Sequence, residues 1–142
     1  KKFLIEGFKV DAFDASEKMI EIVSSEQQIN SWIADFKSFH SSAKYDGIWA
    51  NFSLLHAPKK EIRPLIQRIF KSLKSNGLFS LGLKLGTGEK RDKIGRKYSY
   101  FEEQEIKDIL LNEGFCNISH HLGAATGLDG QSSNFIIILS HA

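Results

Sequence analysis

The sequence predicts an α/β fold, with a doubly wound, mostly parallel sheet and an antiparallel C-terminal strand. Residues 44–85 contain an apolar strand, a loop, an amphipathic helix, a glycine turn and a second strand, which together make one parallel crossover unit. Two further strand-like runs, over residues 115–119 and 134–140, follow the last predicted helix. Strands alternating with helices and ending in a strand pair are typical of this fold class.

In the first third of the chain, the pattern predicts two strands separated by a helix. The strands cover residues 8–13 and 29–33, and the helix begins after Ser16, a residue type that caps helix N-termini. Before the first strand, residues 1–6 have the pattern of a helix end, and Gly7 is the left-handed cap that would stop it.

The crossover unit supplies the next three elements. Its first strand covers residues 45–50, and its second covers residues 78–85. Pro64 is tolerated in the first turn of a helix, so the helix is expected to begin near Ile62 and to end at the Asn76-Gly77 turn. The apolar side chains of this helix recur at helical spacing and predict a buried stripe of Ile62, Leu65, Ile66, Ile69, Phe70 and Leu73.

The last third of the chain is predicted to hold one helix and the final strand pair. Residues 86–97 form a charged, glycine-rich loop without a pattern of its own, and residues 102–112 form a helix closed by Gly114. The segment 122–133, between the last two strands, is predicted to be flexible. The chain has no internal repeat or low-complexity tract, so we expect a single domain over residues 1–142.

Composition excludes several functional classes. The 142 residues suffice for one domain with a core, and 42% apolar with 25% charged residues is ordinary for a globular protein. A net charge of +2 with dispersed basic residues argues against a nucleic-acid partner. One basic cluster occurs, and we expect a solvated loop there rather than an anion-binding lid. Its members are Lys90, Arg91, Lys93, Arg96 and Lys97.

Cysteine content and hydropathy indicate the compartment. Cys116 is the single cysteine, so an internal disulfide is excluded and the cytoplasm is the expected location. Both Cys116 and Trp49 are expected in the core. The longest apolar run, residues 135–139, is too short to span a bilayer, and no signal peptide is visible, so no membrane partner is expected.

Six successive segments resemble the class I S-adenosylmethionine (SAM)-dependent methyltransferases, and most of all the small-molecule enzymes of the tellurite-resistance type. The segments are FKVDAFDASEKMI, WIADF, YDGIWANFSLLHAP, LKSNGLFSLGLK, GTGEKRDKIGRKYSYF and EIKDILLNEGF. They cover nearly the whole chain from Gly7, in order and at ordinary spacings. The resemblance implies a Rossmann-like sheet, SAM as the cofactor and a small-molecule acceptor as the partner.

The resemblance also implies which residues bind the cofactor. Asp14 matches the carboxylate that accepts from both ribose hydroxyls, with an aspartate that satisfies a helix start as the alternative. Asp35 and Phe36 match the adenine position, where a carboxylate accepts from the amine and an apolar side chain lies against the ring; an ordinary loop aspartate is the alternative. Asn51 matches the border of the methionine part, with a turn asparagine as the alternative.

On the substrate side, His56 matches a histidine that faces the acceptor, where it would be the general base. A capping or structural histidine is an equally open interpretation. Tyr98 and Tyr100 are candidate walls of the acceptor pocket, and aromatic packing is the alternative. Lys84 and Arg96 are candidates for contacting an anionic group of the acceptor.

One signature of the family is absent from this chain. The family's first strand ends in a glycine-rich turn, whose backbone N–H groups hold the amino-acid end of the cofactor. The glycines of residues 82–88 follow a later strand and are predicted to form a loop. In the family, that first strand lies in the centre of the sheet, between two other strands. Without it, the backbone groups of the flanking strands are left unpaired, and each unpaired buried group costs about 1–3 kcal/mol. We therefore expect a longer natural protein whose N-terminal segment carries the strand and the turn; without that segment the chain can be inactive.

The leading hypothesis is transfer of the SAM methyl group to a small-molecule nucleophile by in-line displacement. No metal is predicted, because the sequence has no cluster of ligands at metal-binding spacing. A non-catalytic interaction module with this fold is the first alternative, favoured by the missing glycine turn. A nicotinamide-dependent reductase is the second, and the lack of a Tyr-x-x-x-Lys pair argues against it. The identity of the acceptor and the oligomeric state have no signal in the sequence.

Overall fold

A computed structural model of the chain describes residues 2–39 and 45–142. The chain divides into two compact units, Lys1–Phe39 and His40–Ala142, and the single domain expected over residues 1–142 stays a prediction. No helix in the described ranges has the length and apolar character needed to cross a membrane.

The first unit contains one parallel strand pair and two short helices. Its elements are α1 (Lys2–Ile5), β1 (Val10–Asp14), α2 (Glu17–Ser24) and β2 (Ile29–Ile33). Gly7 follows α1 with a φ of 85°, the left-handed conformation that was expected to stop the helix. The ring of Phe13 stacks on Phe39, with centroids 4.9 Å apart, and on Trp32, with centroids 5.9 Å apart.

The second unit is built on a four-stranded sheet. Its elements are β3 (Tyr45–Asn51), a 3-10 turn (Leu54–His56), α3 (Lys59–Ser72), β4 (Leu73–Lys84), β5 (Glu89–Arg91), β6 (Lys97–Ser99), α4 (Glu103–Asn112), β7 (Cys116–Thr126) and β8 (Ser132–His141). The strand order is β3-β4-β8-β7. Strands β3 and β4 are parallel, and β8 is antiparallel to both β4 and β7, so β8 alone opposes the other three. The predicted mostly parallel α/β sheet with an antiparallel C-terminal strand is therefore confirmed.

The core of the second unit is formed by one face of the sheet and the apolar stripes of α3 and α4. The large apolar residues of β4 and β8 that are fully buried alternate along each strand, as the two-residue period requires. They are Phe79, Leu81, Leu83, Ile136 and Ile138. Ser80 and Gly82 of β4 are buried between them. The α3 stripe is buried at Ile62, Leu65, Ile66 and Ile69, and α4 buries Ile106 and Leu110.

The limits of α3 differ from the prediction. The helix begins at Lys59, which leaves Pro64 inside it rather than in its first turn. It ends at Ser72, because Leu73 is already extended and pairs with Tyr45 of β3. Asn76 does adopt a left-handed conformation, with a φ of 62°, but it does so within β4, where the register shifts.

Two segments without a sequence pattern are ordered strands. In the predicted loop 86–97, β5 forms a short antiparallel hairpin with β6, which begins at the last residue of that loop. Most of the segment 122–133 belongs to β7 and β8, which pair up to Thr126 and Ser132. A Cβ added at Gly123 would lie 2.5 Å from the ring of Phe135, so the glycine allows the close approach of these two strands.

The expected burial of Trp49 and Cys116 was wrong. Trp49 is 62% exposed, because its neighbour Ala50 faces the buried side of β3 and successive side chains of a strand point to opposite faces. Cys116 is also exposed, as the first residue of the edge strand β7.

Candidate functional site

A cavity of about 320 Å³ lies in the second unit, where the loop after β3 meets the end of β4. Four of the predicted substrate-side residues line it: His56, Lys84, Arg96 and Tyr98. The apolar walls come from the loop after β3 and from the β7–β8 hairpin, and include Phe52, Leu55, Leu128 and Phe135. The structure thus brings these predicted residues together at the carboxyl end of the parallel strands, where ligands bind in α/β folds.

Tyr98 is the centre of this cavity wall. Its side chain is 4% exposed, and three groups surround its ring. The His56 ring centroid lies 4.7 Å from the Tyr98 centroid, and Lys84 Nζ lies 4.2 Å from it. Arg96 Cζ lies 5.4 Å from the same centroid. Burial raises the pKa of the Tyr98 phenol above its ordinary value, so the hydroxyl keeps its proton near neutral pH.

The imidazole of His56 is held by a hydrogen bond that also determines which ring nitrogen carries the hydrogen. Its Nδ1 atom lies 2.8 Å from the backbone carbonyl oxygen of Lys97. Because a carbonyl oxygen only accepts, Nδ1 must carry the hydrogen, and in the neutral ring Nε2 then keeps its lone pair. The arrangement leaves Nε2 able to take a proton, as a general base requires.

The two cations of the cavity have different partners. The guanidinium of Arg96 binds the Asp92 carboxylate, with Nε 2.8 Å and a terminal nitrogen 2.7 Å from Oδ2. Burial works to raise the pKa of Asp92, but the side-chain and backbone hydrogen bonds from Arg96 and its charge together hold that pKa below its ordinary value. The side-chain ammonium of Lys84, in contrast, forms no hydrogen bond or ion pair within the described part of the chain.

The loop after β3 is fixed by a left-handed residue. Phe52 has a φ of 59°, an uncommon conformation for a non-glycine residue that costs on the order of 1–3 kcal/mol. Its N–H donates to the Gly82 carbonyl oxygen at 2.9 Å, and its ring meets Phe135 edge-on, with centroids 5.5 Å apart. A Cβ at Gly82 would lie 3.1 Å from Asn51 Cα, so glycine permits this close approach. The Asn51 side-chain oxygen accepts from the Ser80 hydroxyl at 2.9 Å.

The β5–β6 hairpin is attached to the segment that carries His56. The first contact is the hydrogen bond between the His56 imidazole and the Lys97 carbonyl oxygen. In a second contact, the Ser99 hydroxyl donates to the Ala57 carbonyl oxygen at 2.6 Å. The Lys59 backbone N–H, at the start of α3, donates to Glu89 Oε1 at 2.7 Å. The base of the hairpin and the histidine are therefore positioned together.

The Glu89→Gln variant should lose less stability in acid than the wild type. The hydrogen bond from the Lys59 N–H, followed by that from Lys97, holds the pKa of Glu89 below its ordinary 4.5. A carboxyl whose pKa is lower in the folded than in the unfolded state stabilises the fold at any pH above its unfolded-state pKa. This contribution disappears as the pH falls through the folded-state pKa. Urea midpoints at about pH 7 and about pH 3 measure the difference. The same change at Glu21, an exposed residue of α2, is the control and should keep the wild-type difference; equal acid dependence of both variants would contradict the prediction.

The first unit holds the other predicted cofactor residues. Asp14 is the last residue of β1, and its Oδ1 accepts the Ser16 N–H at 2.8 Å, which is the helix-start contact considered as the alternative. The Asp35 carboxylate accepts from the Ser38 N–H and hydroxyl, both at 2.6 Å, and these bonds hold its pKa below the ordinary value. Phe36 is half-buried beside it. Because β1 and β2 are parallel, Asp14 and Asp35 lie at the same edge of this strand pair.

Tyr100 differs from the other predicted wall residues, because it is absent from the cavity lining. Its ring packs against Gly86, where a Cβ would lie 3.2 Å from the ring, and its carbonyl oxygen accepts from Lys59 Nζ at 3.0 Å. Sequence reasoning missed Phe52 and Phe135. Phe52 directly follows the strand end and could have been found there, whereas Phe135 requires the pairing of β8 with Lys84 of β4.

The described residues contain no group of three His, Cys, Asp or Glu side chains placed to hold a metal ion. No protein-family model matches the chain, and no curated protein matches it.

Solved structures do match the chain. A SAM-dependent methyltransferase from Methanosarcina mazei is 16% identical with a TM-score of 0.79, over 99% of this chain and 84% of that one. The 1,6-didemethyltoxoflavin-N1-methyltransferase of Burkholderia thailandensis, crystallised with 1,6-didemethyltoxoflavin and S-adenosylhomocysteine (SAH), is 18% identical with a TM-score of 0.77, over 99% of this chain and 64% of that one. TehB from Haemophilus influenzae is 16% identical with a TM-score of 0.76, over 96% of this chain and 51% of that one.

The chain therefore spans 64% of the Burkholderia enzyme and about half of TehB. At these identities the likeness concerns the fold, and it agrees with the resemblance found in the sequence. The chain has the fold of the class I S-adenosylmethionine-dependent methyltransferases.

Proposed function

We propose that this protein transfers a methyl group from SAM to a small-molecule acceptor by in-line displacement. The observation that carries the proposal is the cavity at the end of β4, in which the Nδ1–carbonyl bond of His56 leaves Nε2 free to accept a proton. A methyltransferase fold supplies the context. A cytoplasmic location is part of the same proposal.

The cofactor residues of the proposal are Asp14, Asp35, Phe36 and Asn51. The second oxygen of the Asp14 carboxylate has no hydrogen bond to the described residues, which leaves an acceptor for ribose hydroxyls at the end of β1. Asp35 lies at the same edge and Phe36 follows it, which fits an adenine ring and its amine. SAM, when bound, supplies an electrophilic methyl group on a sulfonium sulfur.

The remaining chemistry belongs to the protein. In the proposal, His56 Nε2 takes the proton of the acceptor as its nucleophilic atom attacks. The apolar walls at Phe52, Leu55 and Phe135 exclude water and restrict the acceptor, so that positioning contributes most of the rate. The Tyr98 hydroxyl, which keeps its proton, can donate to the acceptor.

Calorimetric titration of the full-length protein with SAH tests the proposal. We expect binding, and the Asp14→Asn variant should bind about 10- to 100-fold more weakly, because each hydrogen bond to a charged group contributes about 1.5–3 kcal/mol. The Asp11→Asn variant changes the same charge on the same strand away from its carboxyl end, and should bind like the wild type.

Absence of SAH binding at millimolar concentrations would overturn the proposal. Wild-type affinity in Asp14→Asn would remove Asp14 from the cofactor site. Cofactor binding without methyl transfer to any acceptor would favour the non-catalytic module considered in the sequence analysis.

A further inference from the structure

The cavity contains one cation that forms no ion pair within the described part of the chain. Arg96 is paired with Asp92 through two contacts below 3 Å, so its charge is already committed within the β5–β6 hairpin. Lys84 Nζ contacts the face of the Tyr98 ring at 4.2 Å, and no ion pair or hydrogen bond joins it to another described residue. A ring face replaces only part of the hydration of an ammonium group. Lys84 is therefore the cation available to a ligand.

The acidic groups around the cavity do not change this assignment. Asp129 is in the turn between β7 and β8, and its Oδ1 accepts the Gln131 N–H at 3.1 Å. A Cβ added at Gly127 would lie 2.8 Å from Asp129 Oδ1 and 3.7 Å from Lys84 Nζ, so the carboxylate is near the ammonium, but the two form no ion pair in the described part of the chain. The negative charge of Asp129 also raises the pKa values of Arg96 and Tyr98. Asp92 is engaged by Arg96 and by the N–H groups of Ile94 and Arg96.

The rest of the cavity has the character and size of a site for a small ring compound. Phe52 and Phe135 form an edge-on aromatic pair in its wall, and Leu55 and Leu128 add aliphatic surface. A volume of about 320 Å³ is at the lower end of ligand pockets and equals about ten water molecules. An extended peptide or a nucleic-acid strand exceeds this size.

From these observations we propose that the acceptor is a small aromatic hydroxy acid, whose anionic group pairs with Lys84 and whose ring lies against the apolar wall. The inference rests on the proposed function, because it names the substrate class of the same cavity. In the transfer, the acceptor oxygen gains the methyl group and the electron pair of the broken methyl–sulfur bond stays on sulfur. The hydroxyl proton goes to His56 Nε2.

Binding of two matched probes, 4-hydroxybenzoate and 4-hydroxybenzamide, to the full-length protein tests the inference. They have the same ring and hydroxyl and differ in charge. Calorimetry or ligand-observed NMR should give about tenfold tighter binding of the acid, the effect of one hydrogen bond to a charged group. Lys84→Met should abolish this preference, and Lys84→Arg should retain it. Lys90→Met makes the same charge change on exposed β5, away from the cavity lining, and should keep the wild-type preference.

Equal binding of the two probes by the wild type, no binding of the acid at millimolar concentrations, or an unchanged preference in Lys84→Met would each overturn the inference. The outcome is separable from that of the proposed function, because probe binding needs no cofactor. Preference for the acid without SAH binding would support the anion-binding role of Lys84 and contradict the proposed methyltransferase function. SAH binding without preference for the acid would support the proposed function and contradict the acceptor class.

Discussion

Under the proposed function, the His56→Asn variant should transfer methyl groups about 100- to 10,000-fold more slowly than the wild type, the range expected when a general base is removed. The asparagine amide can still donate to the Lys97 carbonyl oxygen that holds the imidazole at 2.8 Å, but it has no atom in the place of Nε2. Anchoring is thus retained while proton transfer is lost. The measurement is SAH release with an acid found by the binding experiment above.

A matched variant separates the role of a base from that of an anchor. Ser99→Ala is the matched control, because it removes another hairpin bond, to the Ala57 carbonyl oxygen, and leaves the imidazole in place. Equal loss of rate in both variants would mean that His56 is structural.

The Phe79→Ala variant should lose about 3–5 kcal/mol of unfolding free energy, the range for truncating a buried phenylalanine. Phe79 is 0% exposed in the centre of β4, and its ring lies 5.3 Å from that of Phe115, which in turn lies 5.1 Å from Phe70. Removing the Phe79 ring would leave a cavity beside Phe115 and remove the contact between these two rings. Since domains have a total stability of roughly 5–15 kcal/mol, much of the margin would disappear. Urea unfolding followed by circular dichroism measures the loss.

Leu78→Ala is the control for this core prediction. Leu78 is the adjacent residue of β4, points to the opposite face and is 39% exposed. Its truncation should cost about 1 kcal/mol, the typical value for a point substitution. A loss in Phe79→Ala no larger than that in Leu78→Ala would contradict the assignment of this sheet face to the core.

The sequence was sufficient for the elements whose own periodicity is strong. Most of the predicted α3 stripe is buried, although Phe70 is half-buried and Leu73 belongs to β4. The helix and the apolar run of β4 place Lys84 and His56 at one edge of the sheet. The N-terminal limit of α3 could not be predicted in this way. It depends on Glu89, thirty residues away, which accepts the Lys59 N–H and supports a helix start that Pro64 alone would argue against.

Features that depend on distant pairing were not predictable. The strands β5 and β6 have three residues each, too few for a period, and Ser99 and Glu89 secure them through contacts outside the hairpin. The exposure of Trp49 follows from which face of β3 the helices cover, and a short apolar strand does not carry that information. The roles of the cofactor residues in the first unit stay predictions.

The attachment of the hairpin base separates two parts of the cavity wall that can change independently. Three hydrogen bonds join the base of the hairpin to the segment that carries His56, and they involve Ser99, Glu89 and the Lys97 carbonyl oxygen. The tip of the hairpin, residues 92–96, takes no part in them. Changes in the length or charge of the tip would therefore alter the cavity through Arg96 without displacing the imidazole. The tip is thus the place where the charge of the cavity can be altered while His56 keeps its anchor.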